Sequence, residues 1–183
     1  MDRKQAKALL VEKKRREKLK TYETDFTSFA SEQIKIITKD TGQGFIPFTF
    51  NECQKQITIA LEKQYKETGR VRAIVLKARQ QGISTYCAGR VFWKSYYSPH
   101  SRSVVMAHDS ATSDALFNMS KNLIKNMGGD IAPREVRSNA KEIIINSPAM
   151  PKDTTASFEY LSESSTALGL KLDDLPGRYF RQY

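Results

Sequence analysis

Apolar residues recur along this chain at helical and strand spacings in alternation. Within residues 24–39, Phe26, Phe29, Ile34, Ile36 and Ile37 predict a helix giving way to a short extended piece. Asp40-Thr-Gly-Gln-Gly44 reads as a turn. Asn51 is placed to cap a helix running to about Lys66, with Ile57, Leu61 and Tyr65 four apart on one face. Glu67-Thr-Gly-Arg70 closes it. Residues 71–76 form a β-prone apolar run broken by Arg72, and residues 85–96 read as helix. Ser110 caps the next helix, with Leu116, Met119, Leu123 and Met127 as its buried stripe and Gly128-Gly129 at its end. Residues 142–146 and 158–161 are further short strands. Strands alternating with helices predict a doubly wound α/β domain with a largely parallel sheet flanked by helices, and a ligand site at the strands' carboxyl ends.

Length and charge refine this. A chain of 183 residues buries one sizeable core, so we expect a basic helical arm over 1–22, one domain over 23–163 and a divergent tail over 164–183. The net charge is +10, which favours polyanionic partners such as double-stranded DNA. Residues 1–20 carry nine Lys/Arg against three acids, lack Gly and Pro, and predict a helix whose apolar residues are too few for a long core face. Such a run is either a solvated arm or a contact for DNA phosphates or an acidic partner. No aromatic residue lies among its bases before Tyr22, which argues against single-strand stacking. No apolar run is long enough for a bilayer and no signal-type segment opens the chain. Two cysteines without a CxxC pattern suit a reducing cytoplasm. His100 and His108 are too isolated for a metal site.

The candidate chemistry sits in Lys77-Ala78-Arg79-Gln80-Gln81-Gly82-Ile83-Ser84-Thr85. A strand, a Gly-containing loop and a Ser-Thr pair opening a helix form a phosphate-binding layout, in which backbone N–H groups and the helix dipole attract an anion. Against the usual G-x-x-x-x-G-K-[ST] pattern, Gly82 is the second Gly and Ser84 the hydroxyl. Ile83 stands at the Lys position, Lys77 at the first Gly, so the lysine has moved to the loop entrance.

This loop resembles the deviant phosphate loop of bacteriophage terminase large subunits, the ATPases that package viral DNA. Residues 45–54 resemble the family's adenine-contacting segment, with Gln54 as its glutamine. Val104-Val-Met-Ala-His108 and the following helix with Ala115-Leu-Phe117 resemble its second core strand and helix, and Leu161-Ser-Glu163 its acidic strand. The likeness spans roughly residues 45–163 and is weaker after Asn139. It implies a P-loop NTPase-like fold, ATP and Mg²⁺ as cofactors, and a host-cytoplasmic location. Its implied partners are DNA, a small terminase subunit, portal or other motor subunits, and further copies of the chain. By the same resemblance, backbone N–H groups of Gln80, Gln81, Gly82, Ile83, Ser84 and Thr85 would cradle phosphate, and Lys77 would neutralise it. Arg79 would face the transferred phosphate, Ser84 would ligate Mg²⁺, Gln54 would read adenine and Glu163 would orient the attacking water.

The sequence departs from that family in three ways. Ser162 stands where many relatives carry aspartate. Only twenty residues follow Glu163, where relatives continue into a coupling segment, further strands and a nuclease domain. The strand expected between the loop strand and the acidic strand has no counterpart, which predicts either a gap in the sheet or a different strand order. Asp173-Asp174 is an alternative acidic pair on a poorer strand. Three readings remain: an ATPase portion of a packaging motor, a non-catalytic relative that binds nucleotide, DNA or motor components, or a basic nucleic-acid-binding protein whose loop is vestigial. Weak or absent ATP hydrolysis by this chain is the expectation.

Overall fold

The computed structural model describes residues 3–37, 44–76, 80–139, 141–162 and 178–182. Among them, five α-helices accompany two sheets: α1 (Arg3–Thr24), α2 (Phe26–Gln33), β1 (Lys35–Ile37), β2 (Phe45–Pro47), α3 (Glu52–Thr68), α4 (Ile83–Tyr96), β3 (Arg102–Ala107), α5 (Ser110–Asn126), β4 (Arg134–Ser138), β5 (Glu142–Asn146), β6 (Ala156–Ser162) and β7 (Arg178–Gln182). The chain is α/β. The 40–43 part of the expected turn lies outside the described residues.

Local chemistry sets most boundaries. Asp25 opens α2 by accepting from the backbone N–H groups of Thr27 and Ser28. Asn51 and Gln54 form a reciprocal capping box at the start of α3, which ends at left-handed Gly69. α5 starts one residue before expectation. Asp109, not Ser110, is the cap, and its carboxylate accepts from the Thr112 N–H. That backbone bond, joined by the Thr112 hydroxyl, holds the Asp109 carboxyl below its usual pKa.

The main sheet has strand order β4-β5-β6-β3-β7, and β1 and β2 form a separate antiparallel ribbon. The sheet is mixed rather than largely parallel. β3 pairs in parallel with β6 and β7, whereas β5 pairs antiparallel with β6 and with β4. β4 was invisible to hydrophobic periodicity because its sequence is Arg-Glu-Val-Arg-Ser; it is a bulged edge strand whose one large apolar residue, Val136, is exposed.

β6 alternates in burial, with Ala156, Phe158, Tyr160 and Ser162 inward. Phe92 of α4 meets Phe158, with ring centroids 6.2 Å apart, and Phe117 of α5 meets Tyr160 at 5.3 Å. Phe158 and Tyr160 point to one side of the strand, so α4 and α5 share a face instead of covering opposite faces as in a doubly wound sheet. α2 extends that layer with an aromatic cluster, in which Phe26, Phe29, Trp93 and Tyr96 are all buried. Burial raises the phenol pKa of Tyr86, Tyr96 and Tyr160, so these side chains stay neutral.

The expected strand at 71–76 does not form. Gln64 reaches across from α3 and brackets Arg72, its Oε1 accepting from the Arg72 N–H at 2.7 Å and its Nε2 donating to the Arg72 carbonyl at 2.9 Å. Beyond that bracket, Ile74 and Leu76 are 93% and 94% exposed. A strand needs a pairing partner as well as apolar side chains, and the places on either side of β6 are taken by β3 and β5. β6 therefore has a hydrogen-bonded neighbour on each side, and no gap is left beside it.

Candidate phosphate-binding site

The loop enters α4 through two left-handed residues, Gln80 (φ 64°) and Gly82 (φ 67°). Gly82 is the N-cap of α4, and no side chain caps that helix. The first-turn N–H groups of a helix lack intrahelical partners and carry the positive end of its dipole. Ile83 is 4% exposed and packs inward. A lysine at that position would be buried, which disfavours its charged form. Ser84 and Thr85 are half-buried, and Gln81 and Gly82 are exposed.

α4 runs antiparallel to β6. Phe92 sits at Phe158, and one turn later the Ser147 hydroxyl, which follows β5, donates to the Tyr96 carbonyl beside the start of β6. The uncapped end of α4 therefore lies toward the carboxyl ends of β3 and β6, where Ala107 and Ser162 are in register. Open α/β sheets bind ligands on that side.

Gln54 is buried, 3% exposed, rather than on an outer face of its helix. Its Oε1 accepts from the Asn51 N–H at 3.0 Å, and its Nε2 donates to the Gly82 carbonyl at 2.9 Å. The same carbonyl accepts the helical bond from the Tyr86 N–H at 3.0 Å. Asn51 Nδ2 donates to the Gln81 carbonyl at 3.2 Å. Further along, the Thr58 and Tyr86 hydroxyls lie 2.9 Å apart, and Arg90 pairs with Glu62 at 2.6 Å. Gln54–Gly82, Thr58–Tyr86 and Glu62–Arg90 are each 28 residues apart in sequence. That constant offset makes α3 and α4 parallel partners joined by a polar ladder. The sequence carries part of the signal, polar Gln54, Thr58 and Glu62 four apart on α3 and Tyr86 and Arg90 four apart on α4, but it is legible only once the two helices are known to be neighbours.

Lys77, Arg79 and Glu163 lie outside the described residues. Ser162, the last described residue of β6, is 4% exposed. Among the described residues, no group of three or more His, Cys, Asp or Glu is placed to hold a metal ion, and no helix is long and apolar enough to cross a membrane. His108 instead contacts the neighbouring Asp109 carboxylate at 2.6 Å.

α1 has two distinct halves. Its end is anchored: Tyr22 is 1% exposed, its carbonyl accepts from Trp93 Nε1 at 2.6 Å, and the Leu19 carbonyl accepts from the Tyr97 hydroxyl at 3.0 Å. Its beginning is solvated, with Leu9, Leu10 and Val11 all exposed. Glu12 pairs with Arg15 and Arg16, and Glu17 with Lys13, whereas Lys7, Lys14 and Lys20 have no carboxylate partner among the described residues.

No family model matches this chain, and no curated protein matches it.

Proposed function

We propose that the chain binds ATP–Mg²⁺ at the 77–85 loop and serves as the nucleotide-binding part of a DNA-packaging motor of the terminase large-subunit type. The observation that carries this reading is the uncapped N-terminus of α4, entered through left-handed Gly82 on the carboxyl side of the parallel β3–β6 pair. Backbone N–H groups from Gln80 to Thr85 form the cradle, with Lys77 and Arg79 supplying positive charge. Mg²⁺ bound beside phosphates takes few protein ligands and keeps several waters, so the Ser84 hydroxyl suits it without an acidic cluster. Bound Mg²⁺ would offset phosphate charge. Gln54 holds the loop and keeps one amide hydrogen for the adenine edge. Glu163, directly after β6, is the residue proposed to orient water for hydrolysis.

Binding to the folded state alone stabilises a protein by about 2.7 kcal/mol at a hundredfold excess of ligand over Kd. For a chain of this size that corresponds to roughly 2–4 °C per kcal/mol. Saturating ATP–Mg²⁺ should therefore raise the melting temperature by several degrees, and Lys77→Ala with Ser84→Ala should remove the shift. No shift in the wild type, or an equal shift in the double variant, would refute the assignment.

The projecting half of α1 favours a second, compatible role, in which unpaired lysines contact duplex phosphates in the motor, alone or beside small-subunit, portal or neighbouring copies. Each phosphate neutralised steepens the salt dependence of binding by about 0.9 in log–log slope. Deleting residues 1–14, which removes Arg3, Lys4, Lys7, Lys13 and Lys14 but spares the anchored end, should flatten the plot of log affinity against log salt by about 0.9 for each of these that contacts a phosphate. An unchanged slope would place DNA contacts elsewhere.

A further inference from the structure

The ladder between α3 and α4 ends on two consecutive peptide groups of the loop. The Gln81 carbonyl is held by the Asn51 amide and the Gly82 carbonyl by the Gln54 amide, at 3.2 and 2.9 Å. A trans peptide is planar, and its N–H points opposite to its C=O; the chain has no cis peptide among its described residues. Pinning the two carbonyls toward α3 therefore fixes the N–H groups of Gly82 and Ile83 to point away from α3. These are two of the donors proposed for the phosphate.

We propose that Asn51 is a positioning residue for phosphate binding: through its side-chain amide it turns the Gln81–Gly82 peptide so that the loop presents its N–H groups to the nucleotide's phosphates. This rests on the nucleotide-binding reading above. Donors fixed in advance lose less freedom on binding than donors ordered by the ligand. Asn51 performs two separable tasks. Its Oδ1 accepts from the Gln54 N–H at 2.9 Å and caps α3, while its Nδ2 holds the loop. Sequence reasoning identifies the first task only.

Asn51→Ser separates them, because serine caps helices about as well as asparagine but its short hydroxyl does not reach Gln81. Asn51→Asp also keeps the cap while placing a carboxylate against the Gln81 carbonyl. Asn51→Ser should melt within a few degrees of the wild type, and Asn51→Asp lower, because its carboxylate faces the Gln81 carbonyl. Backbone amide order at Gly82 and Ile83, read from nitrogen-15 relaxation, should fall without ligand, and ATP–Mg²⁺ affinity should fall about tenfold for Ser, the worth of one well-placed hydrogen bond, and further for Asp. Unchanged order in both variants would overturn the clamp whatever the ligand. Lower order with wild-type affinity would overturn the positioning role. If wild-type protein fails to bind ATP–Mg²⁺ while order still falls in the variants, the nucleotide reading falls together with the positioning role, and the loop clamp alone survives.

Discussion

Trp93→Ala should destabilise the protein by about 3–5 kcal/mol, the range for truncating a large buried aromatic. Trp93 is 2% exposed and sits where α1, α2 and α4 meet. Its ring lies 5.2 Å from that of Phe26, and Arg90 and Lys94 place their charges 5.7 and 4.5 Å from its centre. Its indole N–H is the donor to the Tyr22 carbonyl at 2.6 Å. Truncation opens a cavity and also leaves that carbonyl unpaired, so the end of α1 should loosen before the sheet does. Trp93→Phe retains most of the ring volume and removes the donor. It should cost about 1–3 kcal/mol, the penalty of an unsatisfied buried acceptor. Urea unfolding followed by far-ultraviolet circular dichroism would measure both, since Trp93 is the chain's single tryptophan and its fluorescence is lost with it. Equal stabilities for wild type and Trp93→Ala would mean that α1 does not dock on α4 as described.

The anchoring of α1 shows where sequence reading succeeds and where it stops. Charge density and helix propensity sufficed to predict a basic helix, and the helix runs to Thr24. That its last turns belong to the core was not legible, because the contacts come from Trp93 and Tyr97, more than seventy residues away. α3, α4 and α5 emerged within two residues of expectation, as did β5, since capping residues and apolar spacing are local signals. Strand pairing is not local. Residues 71–76 have the composition of a buried strand, yet they pair with no strand, and β3 and β5 take the places on either side of β6. β4 has the composition of a loop, yet it pairs because the chain turns back on itself into β5. At the candidate site, the sequence located Gly82 and its helix. The roles of Asn51 and Gln54 as a clamp depend on α3 lying parallel to α4, which is a property of the fold.

Gly82→Ala should combine a stability loss of about 2–3 kcal/mol with loss of the thermal shift that the proposed ATP–Mg²⁺ binding predicts. Two effects add. A non-glycine residue held in the left-handed region costs roughly 1–2 kcal/mol, and Gly82 has φ 67°. A Cβ placed there would also lie 2.8 Å from Gln54 Nε2, inside contact distance. Gln54 is buried with both ends of its amide engaged, so it can yield only by releasing the Gly82 carbonyl or the α3 cap, either worth about 1 kcal/mol. Gly69→Ala separates the two effects. Gly69 is left-handed too, with φ 69°, but an added Cβ would meet nothing within 4 Å. That variant should show the backbone strain alone and keep the ATP response, because Gly69 closes α3 at the end away from Asn51 and Gln54. Thermal melts of both variants, with and without ATP–Mg²⁺, make the comparison. If the two glycines prove equally costly, the close packing of Gln54 on the loop is wrong. If Gly82→Ala keeps a full ATP shift, the phosphates are not held by the peptide groups at the start of α4.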